Sequence, residues 1–186
     1  MLEEFAYIQL MAIRFKFAAQ KAYVAVHWMV SQHHDIDLHA TLKACYFADK
    51  SHLNACGRPI FGASYRAMKF GPVPVEIYEM LKGEAIWKAE LRVEQFPWEL
   101  NGFRLTSKLN SLPDLDVLSE SDIEHLNAGI KQSLDLDFNE RTAVTHGPDW
   151  QRAELGWMRY EDMIDDGPNK AGLIADLEAN SQYMRL

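Results

Sequence analysis

The chain has 186 residues, a length typical of one domain that can bury about two thirds of its unfolded surface without a disulfide or a metal. Hydrophobic residues make up 48% and charged residues 25%, which is ordinary for a globular protein and argues against disorder away from the ends. The net charge of −8 opposes contact with phosphates, so we expect no nucleic-acid binding without a partner, and a partner protein that is basic.

The apolar residues of the first third are spaced as in helices. They predict a helical N-terminal extension at residues 1–15 and a central core helix at residues 16–32, which is apolar around much of its circumference. A third helix is predicted at residues 38–56, with Asp37 as its N-cap and Gly57 at its end.

Glycine and proline are concentrated in residues 57–78. Pro59 prevents the preceding helix from resuming, and the alternation that follows predicts a short hairpin turning at residues 62–64. Pro74 suits the first turn of another helix, which Gly83 would end. The stretch is therefore predicted to be a rigid connector between two helices.

The second half is predicted to hold the strands and further helices. Alternating residues between 84 and 112 predict a small antiparallel sheet, with a type I′ turn at Asn101–Gly102. Ser121 is predicted to open a capping box, and two helices should follow, at 138–146 and 148–155. The predicted fold class is α+β and mainly α, a compact single helical domain with a small antiparallel sheet.

The cysteines and the first residues indicate a cytoplasmic protein. Cys45 and Cys56 are interpreted as reduced, mostly buried thiols and not as a disulfide. The chain begins with acidic residues where a secretion signal would be basic, and the apolar run at 17–30 is interrupted by polar side chains. We therefore expect no membrane segment.

Sequence motifs give little support to catalysis. Asp49 and His52 lie three residues apart on one helix face, but spacing places no third metal ligand, so a hydrogen-bonded pair is favoured. His146 is expected to satisfy backbone groups at a helix end. No nucleophile elbow or phosphate-binding glycine motif occurs. We predict no enzyme activity, metal or cofactor, and an enzyme that brings these three side chains into one pocket stays the least favoured alternative.

Aromatic and basic side chains of the central connector are candidates for recognition, because interfaces use aromatic residues and Arg as anchors. A purely structural role for the connector is an equal alternative, and the five tryptophans are interpreted first as core residues. The predicted partner-binding residues are Arg58, Tyr65, Arg66, Lys69, Phe70, Val73 and Tyr78.

Several segments in order resemble one family. They are Ala-Cys-Tyr-Phe-Ala-Asp-Lys-Ser-His at 44–52, Gly-Arg-Pro-Ile at 57–60, Phe-Gly-Pro-Val-Pro at 70–74 and Thr-His-Gly-Pro-Asp-Trp at 145–150. Together they resemble the Panacea domain, the SocA-like antitoxin domain of bacterial and phage toxin–antitoxin pairs. The motif positions are Asp49, His52, Gly57, Pro59, Gly71, Pro72, Pro74, His146 and Trp150.

The resemblance covers residues 16–165 and leaves 166–186 as a C-terminal helix that packs on the domain or on a partner. It implies an antitoxin that neutralises a cognate toxin by direct contact, and at least one type in the family delivers its toxin to a cytoplasmic protease. The alternative is a winged-helix-like DNA-binding autoregulator with Asn101–Gly102 in its wing, although no basic cluster flanks that turn. A homo-oligomer stays open.

Overall fold

The computed structural model describes residues 13–108 and 112–186, so most of the predicted extension at 1–15 lies outside the described residues. The mainly helical fold with small antiparallel sheets is confirmed. Its helices are α1 (Ala19–Gln32), α2 (Leu38–Cys56), α3 (Val75–Leu81), α4 (Ala85–Leu91), α5 (Glu120–Asp135), α6 (Phe138–Thr145), α7 (Pro148–Arg152), α8 (Tyr160–Met163) and α9 (Lys170–Asn180). Its strands are β1 (Ile36–Asp37), β2 (Tyr65–Met68), β3 (Gly71–Pro74), β4 (Trp98–Asn101) and β5 (Arg104–Ser107).

Helix α2 is the central helix of the core. The sequence had predicted α1 for that position, and the prediction was wrong. Both ends of α2 are as predicted. Asp37 Oδ1 accepts a hydrogen bond from Ala40 N at 2.8 Å, and Gly57 takes a left-handed φ of 72° while its N–H bonds to Leu53 O. Thirteen residues of α2 are buried, against eight of α1.

The two cysteines differ in exposure. Both are free thiols, as predicted. Cys45 lies in the core, whereas Cys56 at the end of α2 is exposed and departs from the expectation of a buried side chain.

Helix α5 packs along α2 more extensively than any other described pair of elements. The capping box that opens α5 uses Ser119, not Ser121. Ser119 Oγ accepts from Asp122 N at 3.2 Å, and Asp122 Oδ2 accepts from Ser119 N at 2.9 Å. Gly129 makes the close packing possible, because a Cβ there would lie 2.6 Å from Ala44 O.

The predicted hairpin of the central stretch exists, but it turns at Lys69 and Phe70. Strands β2 and β3 pair with Tyr65 opposite Pro74, and Gly71 takes a φ of 100° where the turn closes. Gly62, in the predicted turn, also has a positive φ of 64°. It serves packing instead, since a Cβ there would lie 2.8 Å from Phe15 Cβ.

The second sheet has the strand order β1-β5-β4. Its predicted turn is shifted by one residue, with Gly102 and Phe103 between the strands and only Gly102 at positive φ, as in type II′ turns. Helix α4 falls where alternation predicted strand. None of its residues is buried. Because this helix has no buried face, its sequence lacks the apolar stripe that would have predicted a helix.

The C-terminal segment lies against the rest of the chain. Leu177 of α9 is fully buried, and Leu173 reaches the end of α2 at Gly57. The predicted division at 165/166 stays a prediction. Among residues 13–108 and 112–186, no helix is both long enough and apolar enough to span a bilayer.

Two glycine substitutions within helices should have opposite effects on stability. Gly129→Ala should lower the free energy of unfolding, because the gain in helix propensity is smaller than the cost of separating α5 from α2. Gly172→Ala in α9 should raise it by about 0.5–1 kcal/mol, since nothing lies within 4 Å of the added Cβ. Urea unfolding of both variants measures the effect, and stabilisation by Gly129→Ala would contradict the packing argument.

Candidate partner-binding surface

The β2–β3 hairpin is attached to α2 through one buried carboxylate. Asp49 Oδ1 accepts from Ile60 N at 2.8 Å and from Phe61 N at 2.9 Å. Its Oδ2 lies 3.0 Å from the Tyr65 hydroxyl, which also reaches Cys45 O at 3.5 Å. Burial raises the pKa of Asp49 to about 7, although the two N–H donors and Tyr65 oppose the shift. The chain leaving α2 is thereby bound back to that helix.

His52 binds the same loop at its start. Its Nδ1 donates to Arg58 O at 2.7 Å, and its Nε2 lies 3.0 Å from Ser121 Oγ. Burial lowers the pKa of His52, and its Nε2 also lies 3.3 Å from Asp122 Oδ1. Asp122 alongside pairs with Arg58 Nη2 at 3.0 Å and with Lys21. The Arg58 side chain, which is 25% exposed, is therefore tied to the buried Asp122 by an ion pair.

Asp49 and His52 thus serve two different parts of the loop. His146 has other neighbours, since its ring stacks on Trp150 with a centroid distance of 3.7 Å. Within residues 13–108 and 112–186, no group of three or more His, Cys, Asp or Glu side chains is placed to hold a metal. Asp49, His52 and His146, the three residues of the enzyme alternative, therefore each contact different groups.

The motif residue Trp150 and Lys43 of α2 bind the backbone of the hairpin. Trp150 Nε1 donates to Met68 O at 2.9 Å, and Lys43 Nζ donates to Pro72 O at 2.9 Å. A Cβ on Gly71 would lie 2.9 Å from Lys43 Cε, so this position requires glycine for both its space and its φ. Burial lowers the pKa of Lys43 to about 7.

The predicted partner-binding residues separate by exposure. Tyr65 and Val73 are buried, Arg58 is ion-paired, and Tyr78 is half-buried beside Lys82 Nζ. A partner can reach the remaining three without any rearrangement of the chain. These three are Arg66, Lys69 and Phe70.

Two aromatic residues that sequence reasoning did not select extend this exposed set. The Phe138 ring lies 5.2 Å from that of Phe70 and is 42% exposed. Trp157 is 61% exposed, and Arg66 Cζ lies 5.8 Å from its ring centroid. We call Arg66, Lys69, Phe70, Phe138 and Trp157 the hairpin surface.

The cations of the hairpin surface are not neutralised locally. Arg66 and Lys69 form no ion pair with a carboxylate in the part of the chain that the structure describes. Each contacts an aromatic ring instead, and Lys69 Nζ lies 5.2 Å from the Phe70 centroid. The surface therefore combines aromatic area with positive charge on a chain whose net charge is negative.

An open groove of about 540 Å³ runs along α2 beside residues of α5 and α6. Ser51 lines the groove, and its Oγ lies 2.7 Å from His125 Nδ1. Ser51 lies inside a helix, where the neighbouring N–H groups bond within the helix and cannot stabilise an oxyanion. The serine–histidine pair thus lacks the surroundings of a nucleophile.

The link between Asp49 and the hairpin predicts a pH-dependent stability. The pKa of Asp49 is about 7 when folded, against about 3.9 in an unfolded chain, so its contribution to the free energy of unfolding falls as the pH rises between those values. Asp49→Asn can accept both N–H bonds and donate to Tyr65 at every pH. The melting temperature of this variant, relative to wild type, should therefore be higher at pH 8 than at pH 5, and an equal difference at both would contradict the pKa.

Comparison with known families agrees with this scaffold. The family model for the antitoxin SocA-like, Panacea domain matches residues 42–151, more than half of the 186 residues and inside the range that the sequence motifs indicated. Searches of curated proteins and of solved structures give no match. The matched range contains most of α2, the whole hairpin and the side chains that hold the hairpin in place. The resemblance is confirmed, and the chain belongs to the SocA-like antitoxin, Panacea domain family.

Proposed function

We propose that this protein is an antitoxin that neutralises one toxin protein by direct contact, and that the hairpin surface makes the contact. Membership of the family supports the antitoxin role. The observation that supports the location is the exposed group of three aromatic rings and two unpaired cations on a hairpin that is fixed from below.

The composition of the hairpin surface suits a protein interface. Phe70, Phe138 and Trp157 are 46%, 42% and 61% exposed. Large aromatic side chains bury much area on binding and lose little rotational freedom, and Arg is enriched with them at binding hot spots. The contacts of Asp49, Lys43 and Trp150 already order the hairpin backbone, so binding would not have to order it again.

DNA binding by the chain alone has weaker support. The tip of the β4–β5 hairpin, which would be the wing, presents Phe103 at 80% exposure. Arg104 beside it donates to Asp35 O, and Glu99 lies on the adjoining strand. Arg104 is already hydrogen-bonded within the protein, and the net charge of the chain is −8, so the predicted wing offers few contacts to a phosphate backbone.

The proposal concerns the first contact with the toxin. Inhibition within a stable complex and delivery to a cytoplasmic protease both require that contact. A chase experiment that follows toxin levels in cells with and without their ATP-dependent proteases would separate the two outcomes.

Co-expression tests the proposed function. Each gene adjacent to the one encoding this chain is induced alone and together with it. We expect one neighbour to arrest growth alone, growth to resume on co-expression, and the two proteins to co-purify. Failure of the chain to rescue growth or bind any toxic neighbour would overturn the proposal.

Substitution of Phe70 tests the proposed location. Phe70→Ala should raise the Kd of the toxin complex about tenfold or more, because a half-exposed aromatic ring is lost from the interface. Phe103→Ala is the matched control, since it removes the same side chain from the exposed turn of the other sheet. Isothermal titration calorimetry measures both. If Phe70→Ala and Phe103→Ala bind the toxin with equal Kd values, the toxin does not bind at the hairpin and the proposed location is wrong.

A further inference from the structure

The segment at 153–157 holds its backbone in an unusual conformation. Glu154 and Leu155 have φ values of 48° and 62°, so two consecutive side chains with a Cβ occupy the left-handed region. That region is unfavourable for residues other than glycine and ends α7 at Arg152, short of the predicted 155. Strain of this kind persists where surrounding structure imposes it, and it is frequent at binding sites.

Pairing with β2 imposes the conformation. Ala67 N donates to Gly156 O at 2.9 Å, and Met158 N donates to Tyr65 O at 2.9 Å. These bonds place Trp157 directly opposite Arg66, on the outer face of the hairpin. Tyr65 and Ala67, the buried neighbours of Arg66 in β2, therefore hold the backbone on both sides of Trp157.

The two large apolar side chains of this segment nevertheless face solvent. Leu155 is 58% exposed, and Trp157 is 61% exposed even with Arg66 against its ring. The next cation along the chain, Arg159, is paired with Glu161 at 2.9 Å, so Arg66 is the cation available beside the indole. An Arg stacked on an aromatic ring still has in-plane N–H donors for a carboxylate.

We propose that Leu155, Trp157 and Arg66 form the anchor that selects the toxin, by receiving a protein segment that carries a carboxylate next to an apolar side chain. The inference rests on the proposed function and specifies the chemistry of its partner. Charge complementarity favours this occupant, because the Arg66 guanidinium lies 5.8 Å from the indole centroid and forms no ion pair with a described carboxylate. The docking element of the toxin is then locally acidic, whereas the net charge of the chain alone predicted a basic partner.

The anchor spans the C-terminal edge of the family match. Arg66 and the residues that fix the hairpin lie inside the family match at 42–151. Leu155 and Trp157 lie just beyond it. The anchor thus joins one residue inside the matched range to two residues outside it.

Titration of the toxic neighbour product against variants tests the anchor. Trp157→Ala and Arg66→Glu should each raise Kd at least tenfold at 50 mM NaCl, and the Arg66→Glu effect should shrink at 500 mM NaCl. Lys108→Glu makes the same charge change at an exposed position after β5 and should alter Kd less than twofold. Leu155→Gly removes an anchor side chain and relieves its backbone strain, so it should raise Kd without lowering the melting temperature.

The outcomes separate this inference from the proposed function. If wild type binds the toxic neighbour and Trp157→Ala, Arg66→Glu and Leu155→Gly bind it equally well, the anchor is wrong and the antitoxin role stands. If wild type neither binds nor rescues, the antitoxin role and the anchor fall together. Arg66-dependent binding of a 20-base-pair duplex, or self-association in sedimentation that Trp157→Ala abolishes, would assign the anchor to DNA or to a second copy and overturn a toxin segment as its occupant.

Discussion

The carboxylate of Asp49 is the constraint on which the rest of the structure depends. After α2 ends at Gly57, the chain must return along that helix before it can form the hairpin, and Asp49 binds the returning backbone at Ile60 and Phe61. The Tyr65 hydroxyl adds the first residue of β2 to the same group. A buried carboxyl group is unfavourable without partners, and here every partner comes from the stretch that it positions. Asp49 thus fixes the start of β2 on α2, and Lys43 and Trp150 hold the rest of the hairpin.

Features set by local chemistry could be predicted from sequence. Asp37 and Gly57 end α2 through their own hydrogen bonds and φ, so its range at 38–56 was predicted correctly. The turn of the hairpin was not, because Gly62 and Gly71 both take positive φ. One of them closes a turn and the other allows close packing against Phe15, and only tertiary contacts distinguish these uses.

The candidate site shows the same division. Alternation along β2 turns Tyr65 inward and Arg66 outward, so the period-two rule could have separated these two residues from sequence alone. Trp157 could not be placed in this way. It meets Arg66 only because the chain returns after α7 to pair with β2, and no local signal in the sequence specifies a single isolated bridge between distant residues.

The motif residues predicted from the resemblance that hold the hairpin and the predicted partner-binding residues that reach solvent are different sets. Asp49, Gly71 and Trp150 contact the hairpin from inside, where a changed side chain would leave a buried polar group unpaired or a backbone displaced. Arg66 and Phe70 project from the same backbone into solvent, and replacing them disturbs no buried hydrogen bond. A scaffold fixed from below can therefore present different outer side chains on an unchanged hairpin.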